Sequence, residues 1–311
     1  MVGLGVDLER MVGTIWDAPG RCGILGNPSD SYGGATLSCS LPVRNRCEII
    51  RKTSEAVEFD QTLLNAVKRR VNVPNELSVK WSSEVPRSSG LAGSTALLAA
   101  TLACFSPPDS FEAFAEEVRD IEAHEAGVAC GWQDSTMVVH GGLNVIRYVG
   151  KRPDIPYGPF PVRESFVAPL PFLLVTTGVP RLSGSVHGPL QQRWLAGESL
   201  VIDSMAELAN LPDPGLECLA VGAYGQLAAL MTRNHEITRE LGGSGDVIEA
   251  LIKQCLNHGA LAAKLAGAGM GGTVIALTEK PADLEHRLRL DGFTQFIQPQ
   301  IAPGLTRLAG G

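Results

Sequence analysis

Residues 86–96, Pro86-Arg87-Ser88-Ser89-Gly90-Leu91-Ala92-Gly93-Ser94-Thr95-Ala96, form a loop of small and hydroxyl-bearing residues that runs unbroken into the apolar stretch 97–105. A glycine-rich loop lets backbone N–H groups approach an anion, and a helix N-terminus adds a positive dipole there. Ser88, Ser89, Ser94 and Thr95 add hydroxyls that bind phosphate oxygens or a hard cation such as Mg2+. The stretch carries no GxxxxGK[ST] pattern and opens no GxGxxG turn of a βαβ unit. Taken alone, it reads equally as an N-cap with a tight turn.

Three further segments lend weight to the anion reading. Downstream lies Gly131-Trp132-Gln133-Asp134, in which Asp134 is a candidate proton acceptor beside a glycine and an indole. It follows Glu122 and Glu125, which share a helix face at i,i+3 and are candidate cation ligands, or simply a solvated acidic face. Upstream, Arg21 precedes a polar turn containing Asn27, Asp30 and Tyr32, which suits a cation near a phosphoryl group and hydrogen bonds to a polyol. Far downstream, Gly267-Ala268-Gly269-Met270-Gly271-Gly272 precedes the strand-like 273–277. Loop, carboxylate and arginine together outline a phosphotransferase, in which the protein mainly positions groups and neutralises charge.

The bulk numbers agree with a soluble enzyme. The chain has 311 residues, 44% of them hydrophobic and 19% charged, enough for two modest domains. Its net charge of −7 gives no basic footprint for nucleic acid, so local donors must hold an anionic substrate. The 7 cysteines are scattered without CxxC spacing, which argues against a disulfide framework or zinc site and for a reducing cytoplasmic setting. No apolar run reaches membrane-spanning length.

Along the chain, 13–50 reads as strands with turns at Asn27-Pro28 and Gly33-Gly34, and 59–71 as a helix. A strand over 78–84 feeds the loop, and 97–105, apolar all round, predicts a buried helix. An amphipathic helix follows over 110–125, then a strand leading to Tyr148. The proline-rich stretch 150–171 suits a domain boundary, giving lobes of 1–165 and 166–311. Beyond it lie a strand at 172–176, helices near 189–196, 199–210, 215–232 and 245–258, a strand, the glycine loop and a second strand at 273–277, and a helix near 281–290. The mixture lacks strict βα alternation and predicts an α+β fold.

In this order the segments resemble the three motifs of the GHMP small-molecule kinases, which include galactokinase, homoserine kinase and mevalonate kinase. The first motif is Ala18-Pro19-Gly20-Arg21-Cys22-Gly23-Ile24-Leu25-Gly26, the second is 86–96, and the third is Ala263-Lys264-Leu265-Ala266 through Gly272. Asn234-His235 also looks familial. Leu25-Gly26-Asn27-Pro28-Ser29-Asp30, Gly90 to Ser94 and Ser183-Gly184-Ser185-Val186-His187 are similar to the glucuronokinase-like sugar 1-kinases. Gly131 to Asp134 is also similar to L-fucokinase.

The resemblance implies a ribosomal protein S5 domain 2-like N-terminal domain and a ferredoxin-like C-terminal domain, with the site between them. It implies ATP cradled by Pro86, Ser88, Ser89, Gly90, Leu91, Ala92, Gly93, Ser94 and Thr95, and Mg2+ on Ser94 with Glu122 or Glu125. Asp134 would be the base, Arg21 its electrostatic helper, and Asn27, Asp30, Tyr32 and Gly269 acceptor contacts. A uronic-acid carboxylate would need a cation, for which Arg181, His187 and Arg193 are candidates. The expected partners are ATP and a small sugar, with no nucleic acid or membrane, in a monomer or homodimer. Ala266 and Met270 depart from the threonine and glycine of many relatives. Another sugar or small alcohol as acceptor, and a non-catalytic sugar- and ATP-binding regulator, remain open.

Overall fold

In the computed structural model, residues 8–52, 61–155, 158–179, 187–267, 269 and 272–310 are described. The first lobe grows from two long antiparallel strands, β1 (Ile15–Leu25) and β2 (Ala35–Arg51), joined by a 3-10 turn at Ser29–Tyr32. Short helix α1 (Leu8–Met11) precedes them. The second half of β2 pairs with β3 (Leu77–Ser83), and its first half with β4 (Leu143–Arg147), which in turn pairs with β5 (Val162–Phe166). Behind this sheet lie α2 (Gln61–Arg70), α3 (Gly93–Phe105), α4 (Phe111–Asp120) with a π turn at Ile121–Glu125, and α5 (Gln133–His140).

The apolar stretch after the glycine loop behaves as its composition dictates. Helix α3 is buried along almost its whole length and packs on β1 and β2. It begins at Gly93, inside the loop, rather than at Leu97.

The second lobe is a four-stranded antiparallel sheet in the order β7 (Ala262–Leu265), β8 (Thr273–Leu277), β6 (Phe172–Thr176), β9 (Phe296–Ile297). Its helices are α6 (His187–Leu195), α7 (Ser199–Ala209), α8 (Pro212–Val221), α9 (Tyr224–Glu240), α10 (Asp246–Asn257) and α11 (Pro281–Leu290). The helix expected over 215–232 is two helices, broken where Gly222 adopts φ 72° and caps α8. One hydrophobic cluster joins the lobes, running from Ile24, Leu37 and Leu91 to Leu227, Met231 and Ile275.

Three strands escape the sequence pattern, the two-residue β9 among them. β5 lies within the proline-rich 150–171, at the outer edge of its sheet, with its residues mostly exposed and therefore without alternation. The last strand, β10 (Thr306–Ala309), leaves the second lobe and pairs with β1, Ile15 opposite Ala309. We propose the lobes as 1–165 and 166–311, with β10 as an excursion back into the first sheet.

The return path crosses the end of α5 at backbone contact. Leu305 N donates to Val139 O at 3.0 Å, and a Cβ added at Gly304 would sit 2.1 Å from that same oxygen. Gly304→Ala is therefore expected to cost about 1–3 kcal/mol, measured by urea denaturation. A midpoint unchanged from wild type would mean that the crossing is looser than this.

Candidate active site

Arg21 sits in the middle of β1 and is 4% exposed. Its guanidinium reaches three separate segments. Nε donates to Asp134 Oδ1 at 2.7 Å, Nη2 pairs with the same oxygen at 2.5 Å, and Nη1 donates to Gly90 O at 2.9 Å and to Ala266 O at 3.3 Å. The three sequence motifs and the candidate base thus meet at one side chain. Both contacts to Asp134 fall on Oδ1, so Oδ2 keeps no donor among the described residues.

Asp134 is the second residue of α5, where the helix dipole favours a negative charge. The start of that helix is held from below. Asp30 Oδ2 accepts from Trp132 N at 2.8 Å and Gln133 N at 3.0 Å, capping the helix across the chain. Gly131 is required by this closeness, since a Cβ there would lie 1.9 Å from the same oxygen. Trp132 is buried with the Arg119 guanidinium 4.1 Å over its ring, and its Nε1 donates to Glu116, which also binds the buried Lys151 at 2.6 Å. Burial pushes Asp30 up to about 6, the two backbone N–H groups opposing the shift and Asp134 adding to it.

The loop before α3 is shaped as an anion receptor. Ser88, Gly90 and Ala92 adopt φ of 52°, 76° and 59°, so every second residue is left-handed. Such alternation gathers successive N–H groups into a concave nest. For Ser88 and Ala92 the conformation costs roughly 1–2 kcal/mol each, the kind of strain found at functional sites. Two carbonyls are turned inward, Gly90 O to the Arg21 side chain and Leu91 O to Arg21 N at 3.0 Å. In a trans peptide the N–H points opposite to its C=O, so the N–H groups of Leu91 and Ala92 face away from β1.

Loop and carboxylates share one cavity. Its wall includes Pro86, Ser88, Ser89, Gly90, Ala92, Gly93 and Ser94 on one side, and Asn27, Asp30, Gln133, Asp134 and His187 on the other. Glu122 lies between them, its carboxylate accepting from Ser94 Oγ at 3.2 Å and from Thr95 Oγ1 at 2.8 Å. Burial raises Glu122 to about 7, Asp134 adding to the rise and the two hydroxyls opposing it. A buried carboxylate beside a serine hydroxyl at the rim of an anion nest is a donor set suited to Mg2+, which takes one or two carboxylates and completes its shell with phosphate and water.

Several expected residues take other positions. Glu125 is not at the site: on the π turn it faces outward to Arg70 and Arg69. Leu91 is buried in the core, and the Thr95 hydroxyl serves Glu122. Tyr32 packs on Trp194 with ring centroids 5.6 Å apart and does not line the cavity. Arg193 is bound by both oxygens of Glu198, and Arg181 lies outside the described residues, as do Ala268, Met270 and Gly271. Gly269 packs against the backbone of Gly243 instead of entering the cavity.

Other groups stood in quoted motifs without a role assigned to them. Gln133 donates to Ser38 Oγ at 2.6 Å, and Asn234 Oδ1 accepts from Gly26 N at 2.9 Å. Lys264 is fully buried in β7 and donates to Leu265 O, Asn27 Oδ1 and Gly23 O at 2.6, 3.1 and 3.4 Å. Burial pushes its ammonium down to about 7, with Arg21 lowering it further and Cys22 opposing.

The family model described as GHMP kinases N terminal domain matches residues 58–142, and that described as GHMP kinases C terminal matches 216–289. The chain is similar to Probable glucuronokinase 2 of Arabidopsis thaliana, 28% identical over 93% of this chain and 91% of that protein. Glucuronokinase 1 of the same plant is 28% identical over 91% of each. Among solved structures, Lactococcus lactis galactokinase complexed with galactose shares the fold, with a TM-score of 0.73 at 16% identity over 95% of each chain. Among the described residues, no helix is long and apolar enough to cross a membrane.

The raised Glu122 carboxyl has a measurable sign. Its folded pKa exceeds its ordinary value, so the folded state holds the proton more tightly and stability falls as pH rises from about 5 through 7. In buffer free of divalent cations, Glu122→Gln is expected to melt higher than wild type at pH 8 and close to it at pH 5. Calorimetry showing the same difference at both pH values would remove the buried-carboxylate reading.

Proposed function

The chain belongs to the GHMP kinase family and is a small-molecule phosphotransferase acting on an alcohol, and we propose that it transfers the γ-phosphoryl group of ATP to the anomeric hydroxyl of glucuronate or a related sugar. The observation that carries the reading is the single cavity in which the nest of 86–94 faces Asp134, with Arg21 bound to both. Similarity to two glucuronokinases over nine-tenths of the chain supports the sugar class.

The reaction follows from the groups present. The acceptor oxygen forms a bond to the γ-phosphorus as the bond from that phosphorus to the bridging oxygen breaks, and ADP leaves. The acceptor proton passes to Asp134, whose second oxygen is without a donor among the described residues. Arg21 holds the carboxylate in place and puts a positive charge beside the transferring group. The nest N–H groups and Arg87 receive phosphate oxygens from the other side of the cavity. Ser94 and Glu122 would hold Mg2+, which when bound offsets phosphate charge.

Acceptor recognition rests on the opposite wall. Asp30 lends a carboxylate oxygen for sugar hydroxyls, and Asn27 borders it. For a uronate carboxylate, His187 is the candidate placed in the cavity wall; Arg193 is committed to Glu198.

The test is ADP release with ATP and Mg2+ across glucuronate, galacturonate, fucose, galactose, arabinose and heptoses, with mevalonate and homoserine as outgroups. Glucuronate is expected to give the highest kcat/KM, and Asp134→Asn to lower kcat by roughly 10²-fold or more. Preference for a neutral sugar would discard the carboxylate contact at His187 and keep the kinase. Turnover in Asp134→Asn near that of wild type would sink the base assignment.

A further inference from the structure

The cavity wall formed by residues 27–30 belongs to the first lobe, where Trp132 N and Gln133 N hold its Asp30 end, yet its Asn27 end is fastened from the second. Asn27 Nδ2 donates to Gly267 O at 2.9 Å, Gly26 N donates to Asn234 on α9, and Asn27 Oδ1 accepts from Lys264 on β7. Of these fastenings Lys264 is the costly one. A buried ammonium is normally paired with a carboxylate, and here all three of its acceptors are uncharged. A methionine of similar length would occupy the space with no charge to desolvate. The ammonium has three hydrogens for three acceptors, and it fixes which way round the Asn27 amide lies: oxygen to Lys264, nitrogen to Gly267.

We propose that Lys264 is a positioning residue for the acceptor, its ammonium locking the Asn27 amide so that the Asn27 end of the 26–30 turn stays in register with the Asp30 end that Trp132 N and Gln133 N hold, and the two present one surface to the sugar. The inference rests on the sugar-kinase reading of the same cavity. Lys264 lies behind Asn27, outside the cavity lining, and its amine touches none of the nest residues, so its loss is felt by one substrate and not by the other. A neutral amine has only two hydrogens for the three acceptors, so the lock also loosens as pH rises. The ionisable groups facing Lys264 are Arg21 and Cys22 on β1 and His235 on α9, all retained in Lys264→Met. Asp30 and Glu122 also titrate in the cavity.

The experiment compares wild type with Lys264→Met, Asn27→Ala and the double variant, reading acceptor KM, ATP KM and kcat from pH 6 to 8.5, with amide hydrogen exchange across 23–31. Lys264→Met is expected to raise acceptor KM about tenfold, with ATP KM changed less than about twofold. The acceptor KM of wild type should climb with pH, and the climb should vanish in Lys264→Met, which retains Asp30 and Glu122. Asn27→Ala removes the same bond from the other side and guards against a lysine variant that fails to fold; the double variant should lose less than the two singles combined. Equal rises in acceptor and ATP KM, or additive losses, would overturn the proposal. If wild type phosphorylates none of the sugars, the sugar-kinase reading falls, and exchange still decides the lock: faster exchange confined to 23–31 in Lys264→Met upholds it, and unchanged exchange refutes it.

Discussion

Arg21 carries a guanidinium into the interior of the first sheet, and everything around it is arranged to keep that charge paired. Removing one partner from a buried ion pair typically costs about 3–5 kcal/mol. Asp134, Gly90 O and Ala266 O are the partners, and they lie 113, 69 and 245 residues away in sequence. Satisfying one side chain therefore fixes the start of α5, the end of the nest and the edge of the second sheet with respect to each other. The same contacts that settle the charge assemble the cavity, so stability and the site draw on a common set of bonds.

Much of this was readable in the chain because it depends on local chemistry. The 86–96 loop announces itself by glycine and serine, and its helix by an apolar run; Asp134 stands out beside Gly131 and Trp132. Glu122 and Glu125 were indistinguishable in sequence, since i,i+3 spacing places both on one face of a regular helix. The wider π turn separates them, Glu122 inward to Ser94 and Glu125 outward to Arg70. Asp30 was legible as a polar turn residue, but not its second task as the cap of α5, because that contact spans 102 residues.

Other features left no local trace. β5 is exposed along its length, so no alternation marks it. Helix α5 is short and begins inside the segment that drew attention for its aspartate, which hid its helical character. Lys264 stands in a four-residue buried strand beside two alanines and a leucine, and its membership of the third motif gave no hint of its three acceptors. Arg193 shows the opposite error, a cation nominated for a ligand that is already satisfied by Glu198 five residues on.

The pairing of β10 with β1 sets an order in time. Ile15 meets Ala309 across nearly the whole chain. The equilibrium penalty for so long a loop is modest, since each doubling of length adds only about 0.6 kcal/mol, but such contacts form late. The strand that carries Arg21 acquires its outer neighbour only after residues 306–309 have left the ribosome. Until then the Ile15–Asp17 edge of that strand stands open to wrong partners, a few residues before Arg21 on the same strand.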